Sequence, residues 1–176
     1  MKGVSVSFLS RLLGKKTDDR AVARPLWHAL VAQAREPRWY ARCGVADTLE
    51  GRFDTITLVL ALVLLRMEKE PELITPSVRL TELFVEDMDG QLRQSGVGDL
   101  SVGKHIGKLM GVLGGRLGAL REVLPQGGGP FAEAIARNAT LTEGADPALF
   151  TAEMTQLVAR LDATSAQDLL AGRIAA

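Results

Sequence analysis

The chain has 176 residues, with 21 Lys and Arg against 21 Asp and Glu, so its formal net charge is zero. Apolar residues make up 47% and charged residues 24%, the composition of an ordinary soluble chain. The balance excludes a general nucleic-acid binder, which carries a basic excess, and no specific DNA partner is expected. One domain of this length buries about 70% of its unfolded surface without staples. Cys43 is the single cysteine, which excludes a disulfide framework and a cysteine zinc site. His28 and His105 lie far apart in sequence. No metal or other cofactor is expected.

In chain order, the opening stretch Met1–Lys16 carries Lys2, Arg11, Lys15 and Lys16 and no acid. It lacks the apolar centre and cleavage site of a signal peptide. Phe8, Leu9, Leu12 and Leu13 recur at helical spacing. This reads first as a docked or frayed N-terminal helix. The other reading is an amphipathic helix meeting an anionic membrane or a partner. A basic N-terminal segment, residues 1–24, is therefore set apart from an all-helical domain, residues 25–176.

Pro25 suits a first helical position, and the helix it opens stops at Glu36-Pro37. A short piece from Arg38 to Cys43 ends at Gly44. Asp47 with Glu50 three residues on reads as a capping box. The helix behind it runs to about Lys69. Its apolar run Ile56–Leu65 has ten residues, against roughly 20 needed to span a bilayer, so it is read as the central buried helix. Thr75-Pro76 is expected to cap and open another helix. Gly96 is expected to stop it in the left-handed region, and Asp99 or Ser101 to cap the next, which ends before Pro125. Gln126–Pro130 contains three consecutive glycines and reads as a mobile connection. Further helices are expected from Pro130 to Ala139, from Asp146-Pro147, and from Ser165 with Asp168. Period-two alternation is absent, so no sheet is assigned. The fold class is all-α: a single helical domain with a hinged C-terminal helical part.

The helix after Gly98 carries an apolar stripe, Val102, Ile106, Leu109, Leu113, Leu117, Leu120 and Leu124. Beside it run Gly103, Gly107, Gly111, Gly114, Gly115 and Gly118. Each interior Gly costs about 1 kcal/mol relative to Ala. The total, on the order of 6 kcal/mol, is comparable to a domain's net stability. The expected offset is another helix of the same chain packed unusually close; the second reading is a groove wall that accepts a partner's helix.

Motifs with chemistry are few. Gly98–Lys104 has the spacing of a phosphate loop, but His105 stands where Ser or Thr would hold Mg²⁺, and no strand precedes it. Glu82, Glu86 and Asp89 share a helix face, with Asp87 adjacent. This reads as a solvated acidic face, with an Mg²⁺-dependent isoprenoid-like ligand site as the alternative. Arg35, Arg38 and Arg42 surround Trp39 and Tyr40. Ring packing with snorkelling arginines is the expected reading, and a ribosome or RNA adaptor the alternative. Two histidines offer no Ser/His/Asp or Cys/His set, and no enzyme activity is expected.

Two blocks are more distinctive. Trp39-Tyr40 is followed by GVADTLEGRFD, Gly44–Asp54, and Phe84–Met110 reads FVEDMDGQLRQSGVGDLSVGKHIGKLM. Together they resemble the ubiquinol–cytochrome c chaperone family, assembly factors of the cytochrome bc1 complex, from about Leu26 to Leu120. The chain departs from the family's habit at Val59, where His is frequent, and at Leu113-Gly114, where aromatics are.

The resemblance implies an all-helical, non-enzymatic chaperone that binds newly made cytochrome b. It also implies a small helical co-chaperone and contact with the ribosome. The short N-terminus fits a bacterial, cytoplasmic member that meets the inner face of the membrane through residues 1–16. The motif positions expected to meet the partner are Tyr40, Asp47, Gly51, Arg52, Phe53, Asp54, Asp89, Arg93, Gly96, Gly98, Asp99 and Lys104. Their placement at caps and turns favours structural roles first. The groove itself is expected between the glycine stripe and the helix Thr55–Leu65, with charged rims.

Overall fold

The computed structural model describes residues 19–94, 96 and 98–175, giving only the backbone at 99 and 100. The reading of an amphipathic helix within residues 1–16 lies outside the described residues. Eight α-helices are described: α1 (Arg24–Ala34), α2 (Pro37–Ala41), α3 (Leu49–Met67), α4 (Ile74–Gln94), α5 (Asp99–Val123), α6 (Gly128–Arg137), α7 (Pro147–Ala163) and α8 (Ala166–Leu170). Short 3-10 turns, Asp19–Ala23 and Pro71–Leu73, precede α1 and α4. The all-α reading holds: the described residues form no strand, and an isolated bridge joins Val45 to Leu141.

α3 is the central helix, as its unbroken apolar run predicts. Every residue from Thr55 to Met67 is buried. Its two threonines bend their hydroxyls back to main-chain oxygens, Thr55 to Gly51 at 2.9 Å and Thr57 to Phe53 at 2.8 Å, which removes the penalty of burying them. Buried Arg66 ends the run. It donates to the carbonyls of Leu161 and Thr164 at 3.0 and 2.9 Å, satisfying the orphan acceptors at the C-terminus of α7. No helix among the described residues is long and apolar enough to cross a membrane.

The other helices wrap α3 with their apolar faces inward. Trp27 meets Phe84 edge-to-face at 6.2 Å, and Trp39 meets Phe150 at 5.6 Å. The Trp39 indole N–H donates to the Gln33 carbonyl at 2.6 Å. At the break before α6, Gly127 and Gly128 take φ of 61° and 50°, a tight turn that only glycine makes without strain. Beyond it, Phe131, Ile135, Phe150, Met154, Leu157 and Leu161 belong to the same buried core as α3.

Three expected caps move. Thr48, not Asp47, caps α3: it is extended at φ −118°, ψ 170°, and its hydroxyl accepts from Gly51 N. Asp47 instead binds Arg52 at 2.7 Å. Thr75 does not cap α4, because the Pro71–Leu73 turn, anchored by buried Leu73, feeds into the helix at Ile74. Gly98 occupies the cap position of α5, and no side chain caps that end, so neither Asp99 nor Ser101 serves. Gly96 does take the left-handed conformation, at φ 84°. Asp146 and Ser165 cap α7 and α8 as their sequences predict.

The close-packing expectation for α5 is overturned. Its stripe does face the core: Val102, Leu113 and Leu120 are buried. A Cβ added at any of its six glycines would meet nothing within 4 Å. The glycines occupy the exposed face of the helix, and no neighbour among the described residues offsets their propensity cost.

Candidate functional site

Two grooves flank the α4–α5 contact. The larger encloses about 1200 Å³ and is walled by α2, the first half of α3, the end of α4 and the middle of α5. Its floor is apolar: Tyr40, Phe53, Ile56, Met88, Leu92, Leu109 and Val112. Its rim is polar, with Arg35, Asp47, Glu50, Arg52 and Lys108 charged and His105 beside them. Leu49 stands at the lip with 79% of its surface exposed. An apolar trough with a polar edge suits an apolar helix whose ends are solvated.

Local chemistry shapes this trough. The Tyr40 hydroxyl donates to the Ala34 carbonyl at 3.3 Å, tilting the ring along the wall. Burial raises the Tyr40 pKa above 10.0, an effect reinforced by Asp47 and opposed by Arg52, Arg35 and a hydrogen bond with Thr55. The Arg52–Asp47 hydrogen bond holds the guanidinium pKa above its ordinary value and fixes one corner of the rim.

Behind the trough lies a buried polar junction. Asp54 pairs with Arg116 of α5, and the same guanidinium binds the Thr57 hydroxyl. The second oxygen of Asp54 accepts from Thr140 N at 2.9 Å and from its hydroxyl at 2.7 Å. Nearby, Ala46 N donates to the Thr140 carbonyl at 2.9 Å, and Thr142 N to the Gly44 carbonyl at 2.8 Å. The segment before α3 is thus laced to the one after α6. Gly44 has φ 72°, and Gly51 sits so close that a Cβ would lie 2.0 Å from the Ala46 carbonyl oxygen. These glycines of the Gly44–Asp54 block build the junction; they do not offer a surface.

The smaller groove, about 910 Å³, lies along the α4–α5 contact, with Val85, Val102, Ile106 and Met110 on its floor and exposed Val78 at its edge. Glu82, Glu86 and Asp89 rim it. Each acid already has a cation: Arg79 at 3.0 Å, Arg20 at 2.9 Å and Arg93 at 2.8 Å. The carboxylates are spread along the helix in salt bridges and do not converge as a metal site does.

The expected partner residues therefore divide. Tyr40, Asp47, Arg52 and Phe53 meet in the larger groove, and Asp89 and Arg93 line the smaller one. Gly51 and Asp54 belong to the buried junction. Gly96 and Gly98 form the α4–α5 turn, Asp99 begins α5, and Lys104 is exposed on that helix. The expected wall Thr55–Leu65 is a correction: of that stretch only Ile56 reaches the larger groove, because the rest is enclosed by other helices. The residues missed, Met88, Leu92, Leu109 and Val112, are plain apolar side chains that carry no motif in the sequence. Arg116 was missed as well; a charge on the apolar stripe between Leu113 and Leu120 is the signal that marks it.

Other motifs resolve as structure. Gly98–Lys104 runs directly into helix, with no loop to cradle phosphate. Exposed His105 places Nδ1 2.8 Å from the Ser101 carbonyl. Trp39 is fully buried, and Arg38 lies 5.0 Å over its ring while pairing with Glu36 and Glu153. That aromatic is closed to base stacking.

A family model described as ubiquinol–cytochrome C chaperone matches residues 41–176. The crystal structure of the Cbp3 homologue from Brucella abortus is similar to this chain, with a TM-score of 0.75 and 30% identity over 95% of each chain. No curated protein sequence matches. A match over this span, together with a shared fold at that identity, places the chain in the ubiquinol–cytochrome c chaperone family.

Proposed function

We propose that this protein is a non-enzymatic assembly chaperone of the cytochrome bc1 complex that holds cytochrome b, or its nascent chain, in the larger groove. The observation that carries the reading is the apolar trough between α3, α4 and α5, with its charged rim, in a chain of this family. Cytochrome b is a bundle of apolar helices, and such segments need a cover until they pair. Tyr40 and Phe53 supply flat apolar contact, and Asp47 and Arg52 the polar edge. Gly51 and Asp54 keep the wall in place through the junction behind it. The Asp89–Arg93 pair and Lys104, with the turn at Gly96 and Gly98, are proposed to face a co-chaperone on the α4–α5 side. The basic residues of 1–16 supply attraction to an anionic inner membrane face, and ribosome contact completes the reading.

Deleting the gene in its native host is expected to lower assembled bc1 and spare the other respiratory complexes. Re-expression restores bc1. A Leu49→Glu chain, altered at a highly exposed lip position, folds but fails to restore it. Unchanged bc1 after deletion contradicts the proposal.

A further inference from the structure

The two halves of α5 are held very differently. In the C-terminal half, Leu113 and Leu120 are buried, Arg116 is locked into the Asp54 junction, and Arg121 binds Glu68 at 2.7 Å. In the N-terminal half, residues 99–112, Val102 is the buried apolar anchor among the described side chains; Ile106, Leu109 and Met110 are half-covered. Among the described residues, no side chain of 101–112 hydrogen-bonds another element, and the His105 contact is with its own helix. Gly103, Gly107 and Gly111 weaken this half and face open space, and its first turn has no side-chain cap. This half is also the partition between the grooves. His105, Lys108, Leu109 and Val112 wall the larger one, and Val102, Gly103, Ile106 and Met110 the smaller.

We propose that the N-terminal half of α5 is a gate that unwinds as a unit while the rest of the fold stays intact, merging the two grooves into one longer apolar cleft. A helix with few buried contacts and an intrinsically weak backbone opens below the global unfolding free energy. Gly103, Gly107 and Gly111 set the ease of opening, on a face that meets nothing among the described residues; Gly114, Gly115 and Gly118 lie in the half held by Leu113, Arg116 and Leu120. The use of the widened cleft for a client rests on the chaperone reading; the opening itself does not.

Hydrogen exchange of the full chain tests it. Amides of 104–112 are expected to be protected at least about tenfold less than those of 113–123. The variant G103A/G107A/G111A meets no steric obstacle, and its three Gly-to-Ala changes raise protection of 104–112 about a hundredfold. Binding of the apolar dye 1-anilinonaphthalene-8-sulfonate falls by half or more in that variant. Equal protection of the two halves in the unmodified chain, unchanged exchange of 104–112 in the variant, or unchanged dye binding would each overturn the proposal. None of these readouts depends on cytochrome b, so failure here leaves the chaperone reading standing.

Discussion

At the scale of single residues, Arg116 carries the heaviest structural duty. Its guanidinium serves Asp54, Thr57 and the Asn138 side chain together, and 8% of its side chain is exposed. Removing one member of a buried pair leaves the other uncompensated. Arg116→Met is therefore expected to cost about 3–5 kcal/mol, read as a shift in urea midpoint. A loss below about 1 kcal/mol would show that the junction is dispensable. Tyr40 is the chain's single tyrosine, so its absorbance titration is clean. Its phenol is expected to ionise above 10.0 because burial disfavours the phenolate. The sign follows: the neutral ring's contribution is complete below the unfolded phenol's pKa and is lost as pH rises through the folded value. Filling the groove buries the ring further and moves the titration higher; a phenol that titrates at or below 10.0 contradicts its placement in the wall. Asp54 was legible in sequence only as part of a family block. Its partner lies 62 positions away, a separation no local pattern reports.

At the scale of elements, the helices were legible because period and punctuation agree. Pro25, Gly96, Asp146 and Ser165 act as their types dictate. Caps one residue off, as at Thr48, reflect tertiary demands: Gly51 must press against the Ala46 carbonyl, which sets where α3 starts. The glycine stripe was legible as a feature but not in its role, since sequence does not show which face of α5 meets a neighbour. The open space beside Gly114 and Gly118 yields a direct test. Gly114→Ala and Gly118→Ala are each expected to stabilise the fold by about 1 kcal/mol in urea unfolding. Close packing would make both destabilising.

At the scale of the whole molecule, the apolar run of α3 announced a single core, and one core forms, shared by α1 through α8. The trough was not legible. It arises where four helices fail to close over Met88, Leu92, Leu109 and Val112, apolar residues that nothing in the sequence marks as a surface. Among the described residues the trough stays open beside a charged rim, and the proposed docking of an apolar helix rests on that geometry. The direct measurement is site-specific photo-crosslinking in native membranes, with the reactive side chain at Leu49 or Lys108 on the trough and, as control, at Glu72, an exposed residue of the Pro71–Leu73 turn that lines neither groove. The account predicts a cytochrome b adduct from Leu49 and Lys108 and none from Glu72. No adduct from the trough positions, or equal adducts from all three, would contradict it.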